Sequence, residues 1–328
     1  MLRLPPYEYH RPETVEEAVG LLDRHGGDAM PVAGGTDLMP NMKHRLFTPG
    51  HLVALKGVRG LRGIERRNGE LVLGAAETLS SVAGHEAVRR HFPSLAEAAG
   101  NVAGPQLRNM GTLGGNLCLD TRCTYYNQTE SWREALGYCL KKDGDVCHVT
   151  KVGTKCVAAH SADTPPVLML LGAVAEVTGP EGEREIPVED FFVADGIWNT
   201  RREPDEIVTR IRIPIPDDDV RTGYAKLRHR ESIDFPLLTV AAVARLDEEE
   251  RVREIGGVVT ALGARPRVLT GWSEIAEGEV LDDEVVEALA GRAGKQCHPL
   301  ENIIVDPDWR QAMVPVYVTK ALDELRSA

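Results

Sequence analysis

Apolar positions along the chain fall into short runs of two different periods. From Glu13 to His25, Val15, Ala18, Val19, Leu21 and Leu22 recur at helical spacing behind Thr14, a residue suited to capping the first turn. Gly26-Gly27 ends that helix. Met30-Pro31-Val32-Ala33 and Leu52-Val53-Ala54-Leu55 read as short buried strands, and Leu71-Val72-Leu73 as another after an Asn68-Gly69 turn. Thr78 to Ala99 predicts one or two helices broken near Pro93. Between Gly100 and Asp163 the periodicity fades. Val167–Leu171 predicts a short helix, and Ala173–Val177 a strand.

The stretch Pro-Ile-Pro-Asp-Asp-Asp, residues 214–219, is polar and proline-punctuated, and a domain boundary is expected there. Beyond it, Tyr224–Arg228, Leu237–Arg245 and Ile255–Leu262 read as strands, and 284–293 and 309–326 as helices. This pattern predicts an α+β unit with an antiparallel sheet. The expected division is 1–57, 58–216 and 217–328, with an insertion at about 117–160 in the middle part.

The 328 residues exceed one ordinary core, and 42% hydrophobic content suffices for several. A net charge of −12 disfavours nucleic acid as a partner. No run approaches the length of a membrane span, and Met1-Leu2-Arg3-Leu4-Pro5-Pro6-Tyr7 lacks the apolar core of an export signal, so a cytoplasmic protein without membrane contact is expected.

Two glycine-rich strings carry the candidate chemistry. Val32-Ala33-Gly34-Gly35-Thr36-Asp37-Leu38 is a strand running into a tight turn. Asn109-Met110-Gly111-Thr112-Leu113-Gly114-Gly115-Asn116 has three glycines, a hydroxyl and two amides. Such loops let backbone N–H groups approach phosphate, and two of them suit a pyrophosphate. Neither fits a Rossmann or Walker pattern. An isolated Gly-Gly-Thr is more often an ordinary turn, and the two strings together favour a ligand. The ten scattered histidines contain no His-Glu-x-x-His, and no nucleophile–base arrangement stands out, which leaves catalytic residues unassigned.

In these strings the chain resembles the FAD-binding subunits of the xanthine dehydrogenase and carbon monoxide dehydrogenase family. The resemblance implies a flavin fold of the vanillyl-alcohol oxidase (PCMH) type, made of two α/β subdomains, followed by an α+β C-terminal domain. It implies that both glycine strings hold FAD, preceded on the flavin side by Ala103, Gln106 and Leu107. Cys118 is expected at the flavin. Ser161-Ala162-Asp163-Thr164-Pro165-Pro166 resembles the segment whose aspartate binds the ribityl and ribose region, although Asp163 before Pro165 also suits a helix N-cap. The segment from Tyr224-Ala225-Lys226 to Asp234-Phe235-Pro236 resembles the one whose lysine lies near the isoalloxazine, although Lys226 alone reads as a solvated strand lysine.

Five of the six cysteines, Cys118, Cys123, Cys139, Cys147 and Cys156, crowd into one region, with Cys297 remote. Asn116 and Ser161 are separated by 44 intervening residues, where ordinary family members join these motifs almost directly. In a reducing compartment, clustered thiols point to metal rather than disulfides. The spacing Cys-x15-Cys-x7-Cys-x8-Cys, over Cys123, Cys139, Cys147 and Cys156, lacks the close pairs of a zinc ribbon. A 4Fe–4S cluster is the better fit, with structural zinc as the alternative.

The insertion, and Cys118–Gln128 in particular, resembles the branch typified by 4-hydroxybenzoyl-CoA reductase. That resemblance implies reduced ferredoxin as donor, and a heterohexamer with a large molybdopterin subunit and a small 2Fe–2S subunit. Electrons would run inward through 4Fe–4S and FAD to dehydroxylate the substrate to benzoyl-CoA. Two alternatives stay open: a flavin subunit of an oxidative xanthine, aldehyde or CO dehydrogenase, and a zinc-stapled assembly subunit without redox chemistry. Residues 122–160 hold six Lys or Arg against four acids, so a basic docking face for an acidic donor is expected around Lys141 and Lys142.

Overall fold

The computed structural model describes residues 2–151 and 153–327. Strand Glu8–His10 and strand Ala29–Val32 flank strand His51–Ala54 in a small parallel sheet, with Leu52 and Val53 buried. Helix Val15–His25 crosses between the outer strands. Thr14 caps it by accepting from the Glu17 N–H, and Ala18, Val19 and Leu22 face the core. Parallel strands need such a crossover, so the chain's first motif is set by the helical stripe.

The second sheet is antiparallel and five-stranded, in the order Ile64–Arg67, Glu70–Gly74, Ile207–Pro214, Val174–Gly179, Gly182–Pro187. Three short helices, Leu79–Gly84, Glu86–His91 and Pro93–Gly100, replace the one or two expected. Thr78 caps the first, and Pro93 starts the last, where its missing N–H costs nothing. Its central strand, Ile207–Pro214, was not expected. Its signal is the alternation of Ile211 and Ile213, both fully buried, with Arg210 and Arg212 on the other face.

The third sheet is antiparallel, in the order Arg267–Val268, Val252–Thr260, Leu238–Leu246, Val220–Leu227, and helices Asp283–Gln296 and Pro307–Ser327 cover it. The sequence strands are all present there. Helix Pro165–Leu170 packs on the two central strands of the third sheet, Leu238–Leu246 and Val252–Thr260, and joins their core to that of the second. This α+β architecture is the expected fold class. No helix among the described residues is long and apolar enough to cross a membrane.

Gly223 permits the close approach of the last helix, because a Cβ there would stand 2.0 Å from the Ala321 carbonyl oxygen. Gly223→Ala is expected to cost about 1–3 kcal/mol by overpacking. A thermal or urea melt checks this, and an unchanged midpoint would show that helix and strand are not pressed together there.

Candidate functional site

The two glycine loops meet backbone to backbone. A Cβ on Gly34 would lie 2.0 Å from the Met110 carbonyl oxygen and 2.9 Å from Gly111 Cα, so only glycine lets them touch. Gly35 has φ +68°, the left-handed region that glycine enters at little cost. The loops wall one cleft of about 1090 Å³. Val32, Ala33, Gly34, Gly35, Thr36, Asp37 and Leu38 line it, as do Gly111, Thr112, Gly114, Gly115 and Asn116. Ala103, Leu107, Cys118 and Asp163, also expected, line it too.

Their chemistry differs. Among the described residues, no protein acceptor takes the amides of Ala33, Gly34, Gly35, Thr36 or Asp37. Five consecutive unpaired donors on a glycine turn make an anion nest. In the second loop most amides are already taken by protein acceptors. Gly111 donates to the Leu107 carbonyl at 2.7 Å, Leu113 to Glu77 at 2.9 Å and Gly114 to Ala75 at 2.9 Å. Gly115 donates to the Thr112 hydroxyl at 3.1 Å, which caps the short helix Leu113–Leu117. The two loops therefore do not repeat one recipe. The second is mainly the rigid wall against which the first is held.

Gln106, Asn109 and Lys226, all expected at the flavin, lie off the cleft wall. Asn109 turns to Ser80, whose hydroxyl donates to its Oδ1 at 2.7 Å. Lys226 is buried behind the wall and donates to Asp163 Oδ2 and to the Asn101 carbonyl, at 3.0 and 2.9 Å. It is neither a solvated strand lysine nor a wall residue. Tyr224, two residues earlier on the same strand face, donates its hydroxyl to Asp163 Oδ1 at 2.7 Å. Burial pushes the Asp163 carboxyl up and the Lys226 ammonium down, while each opposes the other's shift. Asp163 is thus not the N-cap of helix Pro165–Leu170, a position Thr164 occupies. Asn116 Oδ1 accepts both the Thr164 N–H and hydroxyl, tying the second loop to this segment. Ala103 has φ +44°, and its carbonyl is held by Arg108 and the Ile233 N–H.

The insertion is stapled to the first loop. Its ends pair at Arg122 and Ala159, each amide donating to the other's carbonyl. The Arg122 guanidinium forms an ion pair with Asp37 and lies 4.4 Å over the Phe235 ring. Sequence reasoning missed this arginine, since a pair 85 residues apart leaves no local pattern. Helix Glu130–Leu136, capped by Thr129 and closed by Gly137 at φ +88°, gives the insertion a fold of its own. Buried Arg133 holds the His44 and Arg45 carbonyls.

Cys139, Cys147 and Cys156 are buried and Cys123 half-buried. Burial pushes the Cys123 thiol up to about 12, and the other three thiols add to the shift, so all four share one neighbourhood. Amides of Val149 and Val157 point at Cys147, and that of Ala158 at Cys156. A Cβ on Gly196 would lie 2.9 Å from Cys156 Sγ. No three of these sulfurs fall within 4.8 Å of one another. Around one zinc, thiolates sit about 3.8 Å apart. Cys123 also lines the cleft, so the thiol group and the cleft share a wall.

The expected basic docking face is largely absent. Lys141 is 3% exposed, pairs with Asp120 at 2.5 Å and lies over the Tyr126 ring at 4.4 Å. Arg122 and Arg133 also point inward, so half of the six basic groups are structural. Lys142 is half-buried and faces Asp143 at 3.4 Å.

Two outcomes follow. Lys226→Met leaves the Asp163 carboxylate buried without its counter-charge and is expected to cost about 3–5 kcal/mol, with Asp163→Asn recovering part of it. A urea melt that leaves the single variant unchanged contradicts the buried pair. At the end of the insertion, both ring nitrogens of buried His160 lack partners, and burial lowers its pKa from 6.5 to about 3. Its contribution is whole above pH 6.5 and drains as pH falls toward 3, with a slope up to about 1.4 kcal/mol per unit. His160→Gln should flatten that acid limb in urea melts; an identical limb refutes the assignment.

Residues 5–216 match the family model described as the FAD binding domain in molybdopterin dehydrogenase, and residues 223–325 match the CO dehydrogenase flavoprotein C-terminal domain. The carbon monoxide dehydrogenase medium chain of Afipia carboxidovorans is 29% identical over 321 residues, covering 98% of this chain and 97% of that one. The aldehyde oxidoreductase FAD-binding subunit PaoB of Escherichia coli is 36% identical over 262 residues, covering 77% and 81%. The structure of carbon monoxide dehydrogenase from Hydrogenophaga pseudoflava superposes with a TM-score of 0.81 at 28% identity, covering 99% of each chain. The first loop's open amides, the glycine-only contact and the cleft size fit FAD. The chain belongs to the family of FAD-binding subunits of the molybdopterin dehydrogenases.

Proposed function

We propose that this chain is a two-centre electron-transfer subunit of a molybdenum hydroxylase, holding FAD in the cleft and a 4Fe–4S cluster on Cys123, Cys139, Cys147 and Cys156. The observation that carries it is Cys123, which belongs to the thiol group and also lines the cleft. Thiolates on a cubane bind different irons and stand farther apart than on one ion, which agrees with the sulfur spread. The amides aimed at Cys147 and Cys156 are the usual means of tuning a cluster's potential.

Within the site, the open amides of residues 33–37 take the pyrophosphate. The Asp163 carboxylate keeps lone pairs free for a ribityl or ribose hydroxyl after accepting from Tyr224 and Lys226. Lys226 acts by fixing that carboxylate, from behind the wall. Bound FAD and cluster supply one-electron and two-electron exchange between an outside redox partner and a small 2Fe–2S subunit that leads to a molybdopterin subunit.

For direction, the relatives support the oxidative reading, since they bear the names carbon monoxide dehydrogenase and aldehyde oxidoreductase. The cysteine insertion favours the second reading, reduction of 4-hydroxybenzoyl-CoA with a low-potential ferredoxin as donor. The inward-turned Lys141 and Arg133 remove the charge argument for that donor.

The purified chain is expected to show a flavin spectrum with a broad shoulder, and about four irons and four sulfides per chain. Cys139→Ser should lose the iron and retain flavin. A colourless, zinc-containing protein overturns the assignment. With the assembled complex, aldehyde oxidation supports the first direction, and dehydroxylation of the thioester by reduced ferredoxin supports the second.

A further inference from the structure

At the first sheet, three histidines from three elements converge. His10 ends strand Glu8–His10, His25 ends helix Val15–His25, and His51 opens strand His51–Ala54. One nitrogen of each ring lies within 4.8 Å of the other two. His10 Nε2 and His51 Nδ1 stand 3.0 Å apart, and the His25 and His51 ring centroids are 3.7 Å apart. The Glu8 carboxylate, the register partner of His51, reaches to 3.7 Å of His51 Nδ1 and 3.9 Å of His10 Nδ1. All three rings are half-buried.

We infer that His10, His25 and His51 form a binding site for a divalent transition ion of the zinc class, with Glu8 or water as fourth ligand. Imidazole nitrogens across a tetrahedral zinc lie about 3.3 Å apart, close to the spacing already present between His10 and His51. Imidazole with one carboxylate suits zinc, nickel or cobalt rather than magnesium or calcium. His25 also sits at a helix C-terminus, where the backbone dipole favours a cation. His51, His10 and Arg24 all act on His25 against a positive charge, and Glu8 acts in the opposite direction.

The ion would join the three-residue edge strand to the crossover helix and to the central strand. That helix leads through Gly26-Gly27 into strand Ala29–Val32, which ends at the first glycine loop. The site is therefore a structural staple for the strand that presents the flavin-binding turn, and it is separate from the cysteines.

Cobalt(II) added to the purified holoprotein is expected to bind one equivalent. Difference spectra should show visible d–d bands without near-ultraviolet thiolate charge transfer, which separates this site from the cysteines. His51→Gln and His25→Asn should each weaken binding more than roughly tenfold and leave flavin content unchanged. Zinc should raise the melting temperature of the parent chain and not of the variants. No saturable cobalt binding by the parent chain overturns the proposal. Equal binding by folded His51→Gln and His25→Asn, or bands carrying thiolate character, overturns it as well.

Discussion

The contact between Gly34 and the Met110–Gly111 backbone is the constraint on which the site depends. It presses a turn with open amides against a loop whose own amides are mostly satisfied. One partner is free to bind, and the other is rigid because its hydrogen bonds run to Ala75, Glu77 and Leu107. An unpaired amide run is costly unless water or a ligand reaches it, so the turn must sit at a cleft. A side chain at Gly34 would force the loops apart and remove the wall.

The insertion is built onto that arrangement rather than beside it. Asp37, in the open turn, pairs with Arg122 at the insertion's stem, and Asn302 Nδ2 reaches the Val157 carbonyl from the C-terminal part. The thiol group is thus tied to the flavin turn from one side and to the last third of the chain from the other. The thiol group and the cleft are linked through the Arg122–Asp37 pair and the Arg133 contacts to the His44 and Arg45 carbonyls, and Cys123 stands where they meet.

Much of this was legible in the sequence because its signals are local. Helical and strand periods located most elements, and glycine strings located both loops. Four cysteines in one insertion located the thiol group. What was not legible was long-range. Lys226 and Asp163 are 63 residues apart, so the string around the lysine could not show that it serves the carboxylate from behind the wall. Charge counting over residues 122–160 could not tell inward from outward, and Arg122, Arg133 and Lys141 all turn inward. The central strand Ile207–Pro214 carries its alternation as buried isoleucines against arginines, beside the proline-rich stretch at 214–219 that reads as a boundary. Apparent symmetry between the glycine loops hid their different hydrogen bonding.

The most direct test of this account is flavin content in Gly34→Ala, with the far-ultraviolet circular dichroism spectrum as a check on folding. The expected result is a folded chain that purifies without FAD and does not recover it when FAD is added. A folded Gly34→Ala that retains one FAD per chain would contradict the claim that the backbone contact between the two loops makes the site.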